Sequence, residues 1–213
     1  IMDFVTIAST GDATDFGDTL EDRDALAGLA NPTKAIYGGG RNDSGGSTTI
    51  QQVTIATTAN ATDFGDMTAA KSYAMGACSG TASVQNEAGF APAAMGVFGL
   101  ATEGGEQSAI QYINIASTGN SALFGDMQLR DYQEGGVSSS TRFVASGGRT
   151  GSTTLNVIDH LQYATKGKSA DFGDLTVGRY DHSSASNGTR GIILGGTTDS
   201  SVQDVIDYIT IAS

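Results

Sequence analysis

Pairs of carboxylates three residues apart, each pair flanking a Phe-Gly dipeptide, recur along this chain. Such pairs offer oxygen ligands to Ca²⁺, which takes about six to eight oxygens in proteins. The same residues can serve the backbone instead, because aspartate caps turns and glycine adopts angles that other residues avoid. A structural turn must recur in every repeat, so we interpret them as turn residues and expect no cofactor, with Ca²⁺ as the alternative. The residues concerned are Asp15, Asp18, Asp63, Asp66, Asp126, Asp171 and Asp174, with Asn60 and Asn120 nearby.

A second group of residues with binding chemistry is the contiguous run Arg179, Tyr180, Asp181 and His182. An aromatic ring offers an apolar face to a sugar, and neighbouring charged or amide groups can hydrogen bond to its hydroxyls. We therefore predict a binding cluster at these four residues. The tyrosines of the repeated strand are assigned to packing instead; they are Tyr112, Tyr163 and Tyr208.

Three cations, Arg23, Lys71 and Arg179, each follow a repeated phenylalanine by seven residues. They can form a cationic rim for an acidic glycan, or they can pair with aspartates or cover the phenylalanine rings. We favour the second interpretation.

Catalytic chemistry is not indicated by the sequence. The only histidines, His160 and His182, are 22 residues apart and have no zinc-site spacing. No Gly-x-Ser-x-Gly sequence occurs, and the glycine runs precede no predicted helix. A copper oxidase built on a Tyr–Cys crosslink has only Tyr73 and Cys78 to draw on, without a nearby histidine. We predict a protein that is not an enzyme, with no catalytic and no metal-binding residues.

Composition limits the partners. The formal net charge of −12 repels nucleic acid and anionic membranes, and no apolar run approaches the length of about 20 residues that spans a bilayer. The single cysteine rules out an internal disulfide. Because the first residue is Ile1, we expect a processed product or part of a longer protein. We predict no nucleic-acid partner and no membrane insertion.

The chain is built from one repeated unit of about 48 residues. The phenylalanines of the Phe-Gly-Asp sequence fall at Phe16, Phe64, Phe124 and Phe172, in steps of 48, 60 and 48 residues. A fixed period of this size predicts one repeat domain over residues 1–213. We divide it into units at 1–48, 49–108, 109–156 and 157–204 with a partial unit at 205–213. The longer second unit carries a 12-residue insertion near 75–94.

Each unit reads as four short strands joined by turns, which predicts an all-β fold. In the last full unit we predict strands at 161–165, 171–176, 179–186 and 190–196, with a hairpin at Asn187-Gly188. The repeated Thr-Ile-Ala sequence, or a near copy of it, is assigned to the strand that opens each unit, for example Val-Thr-Ile-Ala at 5–8 and Ile-Asn-Ile-Ala at 113–116.

The pattern resembles the kelch type of β-propeller. Glycine pairs end one strand of each unit, and an Asp-Tyr pair and an arginine stand at the kelch positions, whereas phenylalanine stands where kelch repeats have tryptophan. The wording Ile-Ala-Ser-Thr-Gly-Asn at 115–120 followed by Phe-Gly-Asp resembles repeat proteins of marine tailed bacteriophages, of the tail-fibre type. The structural residues of this likeness are Phe16, Phe64, Phe124, Phe172, Gly39, Gly40, Gly147, Gly148, Gly195 and Gly196.

The resemblance implies a propeller of four-stranded antiparallel blades, with four blades, or five as the alternative. A four-blade ring leaves one spare strand, Val5–Ser9 or Ile209–Ser213, free to pair with another copy.

The function implied is that of a virion structural and adhesion protein: a fibre, tip or decoration that displays the loops 75–94, 41–49 and 197–204. Its partners would be other virion proteins, its own copies or a host-surface glycan, and its location the virion. The alternatives are a secreted bacterial carbohydrate-binding lectin and an oxidase of the kelch-propeller type.

Overall fold

The computed structural model describes residues 1–71, 75–78, 95–99, 107–130 and 135–211. All twenty elements in this part of the chain are strands, and every strand pairing is antiparallel. The all-β prediction is confirmed. The strands are short because turn residues interrupt the apolar alternation every few positions.

The strands form a series of small sheets in chain order. Sheet I has the order β3-β4-β6-β7, and sheet II has the order β11-β10-β9-β8. The strands of sheet I are β3 (Ala27–Ala30), β4 (Lys34–Gly38), β6 (Gly45–Thr54) and β7 (Thr62–Lys71), with β5 (Arg41–Asn42) paired to the start of β6. Those of sheet II are β8 (Met75–Cys78), β9 (Met95–Gly99), β10 (Gln107–Asn114) and β11 (Ala122–Arg130).

Sheet III repeats the same order, and sheet IV has three strands. Two short strands precede sheet I and form the N-terminal sheet, β1 (Met2–Phe4) with β2 (Thr14–Gly17). Sheet III contains β12 (Gly135–Ser138), β13 (Arg142–Ser146), β16 (Val157–Gln162) and β17 (Ala170–Asp174), and a hairpin of β14 (Arg149–Thr150) and β15 (Thr153–Thr154) follows β13. Sheet IV contains β18 (Ser183–Ser186), β19 (Arg190–Leu194) and β20 (Ile206–Thr210).

The repeated Thr-Ile-Ala sequence is a turn, not the strand that we predicted. The strand ends at or before this sequence, and in the first three copies a backbone N–H closes the turn onto a carbonyl three residues earlier. Examples are Ser9 N–H to Thr6 and Ser117 N–H to Asn114, both 3.2 Å. The strands lie on the less similar residues just before it, such as β1 and β10. The repeat is most uniform where the backbone makes the same turn.

The hairpin predicted at Asn187-Gly188 is present. β18 and β19 pair across it, and the Asn187 side-chain oxygen accepts the N–H groups of Thr189 and Arg190 at 3.0 and 2.9 Å. Residues 31–33 and 139–141 make the same connection in sheets I and III. In sheet II the connection is residues 79–94, so the predicted insertion falls there, outside the described residues.

Apolar side chains from neighbouring sheets meet to form three core clusters. Phe64 of sheet I packs with Phe98 and Ile113 of sheet II, and Phe124 of sheet II packs with Phe143 of sheet III. The third cluster joins sheet III to sheet IV through Val144, Ile158, Leu175, Ile193 and Ile211. No sheet of four short strands can bury both faces alone, so each is stabilised by the next one. The predicted role of the repeated phenylalanine in burial between units is confirmed at Phe64 and Phe124, whereas Phe172 is partly buried and Phe16 half-buried.

A repeated set of hydrogen bonds joins the sheets at the Phe-Gly-Asp turn. The N–H groups of Ala61, Ser121 and Ser169 each donate 2.8 Å bonds to the carbonyl of the aspartate one unit earlier, at Asp18, Asp66 and Asp126. A second hydrogen bond runs in the opposite direction, since the side-chain oxygens of Asn60 and Asn120 accept the N–H groups of Asp18 and Asp66 at 3.0 Å. The recurring Asn and Asp residues thus connect consecutive units.

Glycine in this turn is required by both conformation and space. Gly65 has φ +148, and a Cβ there would lie 2.5 Å from the carbonyl oxygen of Gly119 in the next unit. Gly17 meets Ala59 in the same way. Any side chain at these positions would push the neighbouring unit away.

Candidate functional site

The predicted cluster at residues 179–182 lies where sheet III meets sheet IV. Arg179 follows β17, and its side chain is 0% exposed. Its guanidinium donates to the carboxylate of Asp207 at 2.8 Å and to the carbonyl of Ile193 at 3.2 Å. Arg179 is thus directed into the fold, as the favoured interpretation of an arginine–aspartate pair expected.

Asp207, on β20, connects the two sheets. Its carboxylate also accepts the N–H and hydroxyl of Thr176, at 3.2 and 2.7 Å. Burial raises the pKa of this carboxyl, but the bonds from Thr176 and the charge and bond of Arg179 outweigh it, so the pKa lies below its usual value. The carboxylate is therefore held ionised between the sheets.

Arg23 is the equivalent of Arg179 in sheet I and is equally enclosed. Its guanidinium donates to the carbonyls of Gly39 and Thr49 at 2.7 and 3.1 Å, and burial lowers its pKa. Glu21 lies 3.8 Å from it. The two buried arginines therefore hydrogen bond to residues at the strand ends of their sheets. The side chain of Lys71, the third predicted cation, is outside the described residues.

His182 is buried in a space that three glycines leave for it. A Cβ at Gly135, Gly147 or Gly196 would lie within 2.8 Å of the imidazole ring or of the His182 Cβ. Its Nε2 lies 3.0 Å from the carbonyl oxygen of Ser146. His182 thus occupies an interior position between sheets III and IV.

Tyr180 and Asp181 are nearer the surface. The guanidinium of Arg149 lies 5.4 Å from the centre of the Tyr180 ring, close enough for a cation–π contact. Asp181 is exposed and has φ +54, and partial burial of its carboxyl raises its pKa. Of the four predicted residues, these two are the ones placed where an external ligand reaches, and binding there stays a prediction.

The glycine pairs that carry the kelch likeness form the turn that follows β4, β13 and β19. Gly147 and Gly148 have φ of +63 and +95, and Gly195 and Gly196 have +66 and +95. A Cβ at Gly196 would lie 2.7 Å from the carbonyl oxygen of Tyr180. Gly39 and Gly40 repeat this geometry in sheet I.

After each glycine pair the chain makes a short hairpin at the surface. Two of these hairpins lie within the loops that we predicted at 41–49 and 197–204, and the third was not predicted. These surface hairpins are residues 41–46, 149–154 and 197–202, and they occupy the same position in sheets I, III and IV. Arg149 and Asp199, on neighbouring hairpins, form an ion pair at 3.4 Å. Val202 is 86% exposed near the end of the last hairpin. In the sequence, the only sign of this exposed position is that the apolar Val202 follows a run of Thr, Asp and Ser residues.

The recurring carboxylates accept hydrogen bonds within turns and between neighbouring strands of one sheet. Asp15 accepts the N–H of Gly17 at 3.1 Å, and Asp66 and Asp126 accept hydroxyls from Thr48 and Ser108 at 3.3 and 3.2 Å. In the described part of the chain no three His, Cys, Asp or Glu side chains lie together as metal ligands. The predicted absence of a cofactor stays a prediction. The side chains of Tyr73 and Cys78 lie outside the described residues.

No protein-family model and no curated protein matches this chain. Within the described residues, no helix has the length and apolar character needed to cross a membrane.

Proposed function

We propose that this chain is a non-enzymatic structural and adhesion protein of a tailed-phage virion, in which kelch-like propeller blades hold surface hairpins in fixed positions. One observation carries the proposal. The polar side chains that recur from unit to unit are used between strands and between sheets, whereas the hairpins that differ between units are exposed.

The repeated contacts support a rigid scaffold. Bonds such as that from Ser121 N–H to Asp66 recur with the same geometry at the three junctions from the N-terminal sheet to sheet III, and the bonds of Asp207 with Thr176 and Arg179 join sheet III to sheet IV. These contacts hold the hairpins in fixed relative positions. Rigid elements that position variable loops are the usual arrangement for recognition. The net charge of −12 keeps a crowded surface protein soluble.

The surface hairpins are the proposed contact surface, with other virion proteins or a host-surface glycan as the partner. The hairpin 197–202 carries exposed Ser and Asp side chains and two partly buried threonines around Val202. This mixture of hydroxyls, a carboxylate and one apolar group suits the polar, partly apolar face of a sugar. The guanidinium of Arg149, on the hairpin 149–154, lies over the ring of Tyr180 and pairs with Asp199 of the hairpin 197–202.

The proposal is tested on particles of a phage that encodes the chain. Gold-labelled antibodies against residues 197–202 should bind intact virions, and the free protein should compete with virions for adsorption to host cells. The variant Val202→Asp should compete less well, whereas Leu123→Asp, at an exposed strand position away from the hairpins, should compete as the unsubstituted protein does. Unlabelled virions would refute the proposal, and specific binding on a glycan array without virion labelling would favour the lectin alternative.

A further inference from the structure

The connection between β18 and β19 contains the only Asn-Gly pair of the sequence. Asn187 and Gly188 are both exposed, and a Cβ at Gly188 would meet nothing within 4 Å. The side-chain oxygen of Asn187 accepts the N–H groups of Thr189 and Arg190, which folds the side chain back over the residues that follow it. The side-chain carbonyl carbon of Asn187 and the nitrogen of Gly188 are thus accessible to each other and to water.

The two N–H groups that bond to Asn187 are placed to activate its side-chain amide. They donate to Oδ1 at 3.0 and 2.9 Å. An attack on the carbonyl carbon Cγ moves negative charge onto this oxygen, and donors already in place stabilise charge that develops in a transition state. In the described part of the chain the N–H of Gly188 donates no hydrogen bond. The hairpin therefore holds an electrophile and a nucleophile on adjacent residues, where they can close a ring.

The equivalent connections in sheets I and III each lack one part of this arrangement. In sheet I the oxygen of Asn31 accepts the two corresponding N–H groups at 2.9 and 2.7 Å, but the next residue is Pro32, which has no N–H. In sheet III Ser139 stands in place of the asparagine, and its hydroxyl accepts the two N–H groups at 3.2 and 3.1 Å. Of the three connections, only that of sheet IV combines an activated amide with a following N–H.

The other asparagines of the described chain are less well placed for the same ring closure. Asn60 and Asn120 precede residues whose N–H groups donate 2.8 Å bonds across sheet junctions. Asn114 and Asn156 precede isoleucine and valine, whose branched side chains crowd the backbone nitrogen. Asn42 precedes an aspartate, whose negative charge opposes loss of a proton from the neighbouring nitrogen. Reaction is therefore expected to be selective for Asn187.

We propose that Asn187 is a site of spontaneous covalent modification, at which the folded hairpin converts the asparagine into aspartate and isoaspartate. The nitrogen of Gly188 loses its proton to hydroxide and bonds to Cγ of Asn187. The Cγ–Nδ2 bond breaks, and Nδ2 takes a proton from water and leaves as ammonia. The product of this step is a cyclic imide. The inference does not depend on the proposed virion role.

Water then opens the imide at either of its two carbonyl carbons, with no change in oxidation state. Addition at Cγ breaks the Cγ–N bond and gives aspartate. Addition at the main-chain carbonyl carbon breaks the peptide C–N bond and gives isoaspartate, in which the backbone continues through the side chain. An aspartate keeps an acceptor for the N–H groups of Thr189 and Arg190, so the hairpin is retained. An isoaspartate lengthens the backbone and disturbs the pairing of Ser186 with Gly191, which weakens the hairpin.

The test is the rate at which each asparagine of the folded 213-residue chain is lost, measured by peptide mapping with mass spectrometry. Asn187 should be lost about tenfold faster than any other asparagine in the described residues, at a rate that rises with hydroxide concentration. In urea the loss of Asn187 should be about fivefold slower, because the bonds to Oδ1 are broken. A folded chain that loses Asn187 no faster than the unfolded chain overturns the proposal.

Two variants exchange the reaction between equivalent connections. Gly188→Pro reproduces the Asn-Pro pair of sheet I and should stop the loss of Asn187, because proline has no N–H to lose a proton. Pro32→Gly gives Asn31 a following N–H and should accelerate its loss about tenfold. If Gly188→Pro fails to fold, Pro32→Gly still decides the question. Loss of Asn187 that continues in Gly188→Pro, or an unreactive Asn31 in Pro32→Gly, contradicts the proposed reaction.

The control for the effect on the hairpin is Asn187→Ser, which reproduces the connection of sheet III and has no amide to lose. Long incubation at mildly alkaline pH should lower the thermal midpoint of the unsubstituted chain and leave that of Asn187→Ser unchanged. Equal decreases in the two proteins would contradict the proposed weakening of the hairpin by isoaspartate.

Discussion

Asp207→Asn tests the buried ion pair between sheets III and IV. The substitution keeps the size of the side chain and one acceptor oxygen, but it leaves the guanidinium of Arg179 without its anion. Arg179 is fully buried and Asp207 only 12% exposed, so water cannot replace the lost charge.

The expected cost is about 3 kcal/mol of unfolding free energy, the range in which removal of one partner from a buried pair falls. Part of the cost is the weakening of the bonds from Thr176, at 3.2 and 2.7 Å, which the carboxylate strengthens by its charge. The control is Asp3→Asn, at the equivalent position of β1, where the side chain is exposed and the expected change is about 0.5 kcal/mol or less.

Urea denaturation followed by circular dichroism measures both variants. A second variant, Arg179→Met combined with Asp207→Asn, should cost less than the sum of the two single changes, because neither then leaves an unpaired charge. If Asp207→Asn is within about 0.5 kcal/mol of the unsubstituted protein, the pair does not hold the sheets and our reasoning is wrong.

Three further predictions follow from the same contacts. The pKa of Asp207 is lower in the folded state than its unfolded value near 3.9, so the stability that this carboxylate contributes is present above that value and is lost as pH falls through the folded pKa. Acid denaturation should show this loss of stability, and the loss should be smaller in Asp207→Asn. Phe64→Ala should cost about 3–5 kcal/mol by denaturant titration, whereas Phe16→Ala at the half-buried equivalent position should cost about 1 kcal/mol, and equal costs would contradict the burial argument. Gly147→Ala, crowded by the Arg179 carbonyl at φ +63, should lower the thermal midpoint more than Gly188→Ala, which has φ +86 and open space, and the reverse order would show that crowding is not the cause.

The repeat and the all-β class could be predicted from the sequence because both depend on residue spacing. The recurrence of Phe16, Phe64, Phe124 and Phe172 gives the period, and the turn residues between apolar runs give short strands. The strand boundaries could be predicted less well. A repeated Thr-Ile-Ala sequence looks like a strand from its β-branched residues, but its repetition reflects a fixed turn, in which Ser9 bonds back to Thr6.

The candidate site, too, could be predicted only in part from the sequence. Sequence proximity brought Arg179, Tyr180, Asp181 and His182 together as one surface cluster. In the structure the chain takes a left-handed conformation at Asp181, and Arg179 and His182 enter the interior between sheets III and IV. Neither the partner of Arg179, 28 residues away at Asp207, nor the glycines that make room for His182 can be deduced from one local segment.

The amide exchange rates of Ser121 and Ser169 are the most direct test of the central claim, that the sheets form one row joined by repeated contacts. Their N–H groups donate only across sheet junctions, to the carbonyls of Asp66 and Asp126 at 2.8 Å. Hydrogen exchange followed by NMR should show both amides protected to nearly the same degree as those of Ile110 and Ile158 within the sheets. If the two serine amides exchange at the rate of an unfolded chain while the strand amides stay protected, the sheets do not form a joined row.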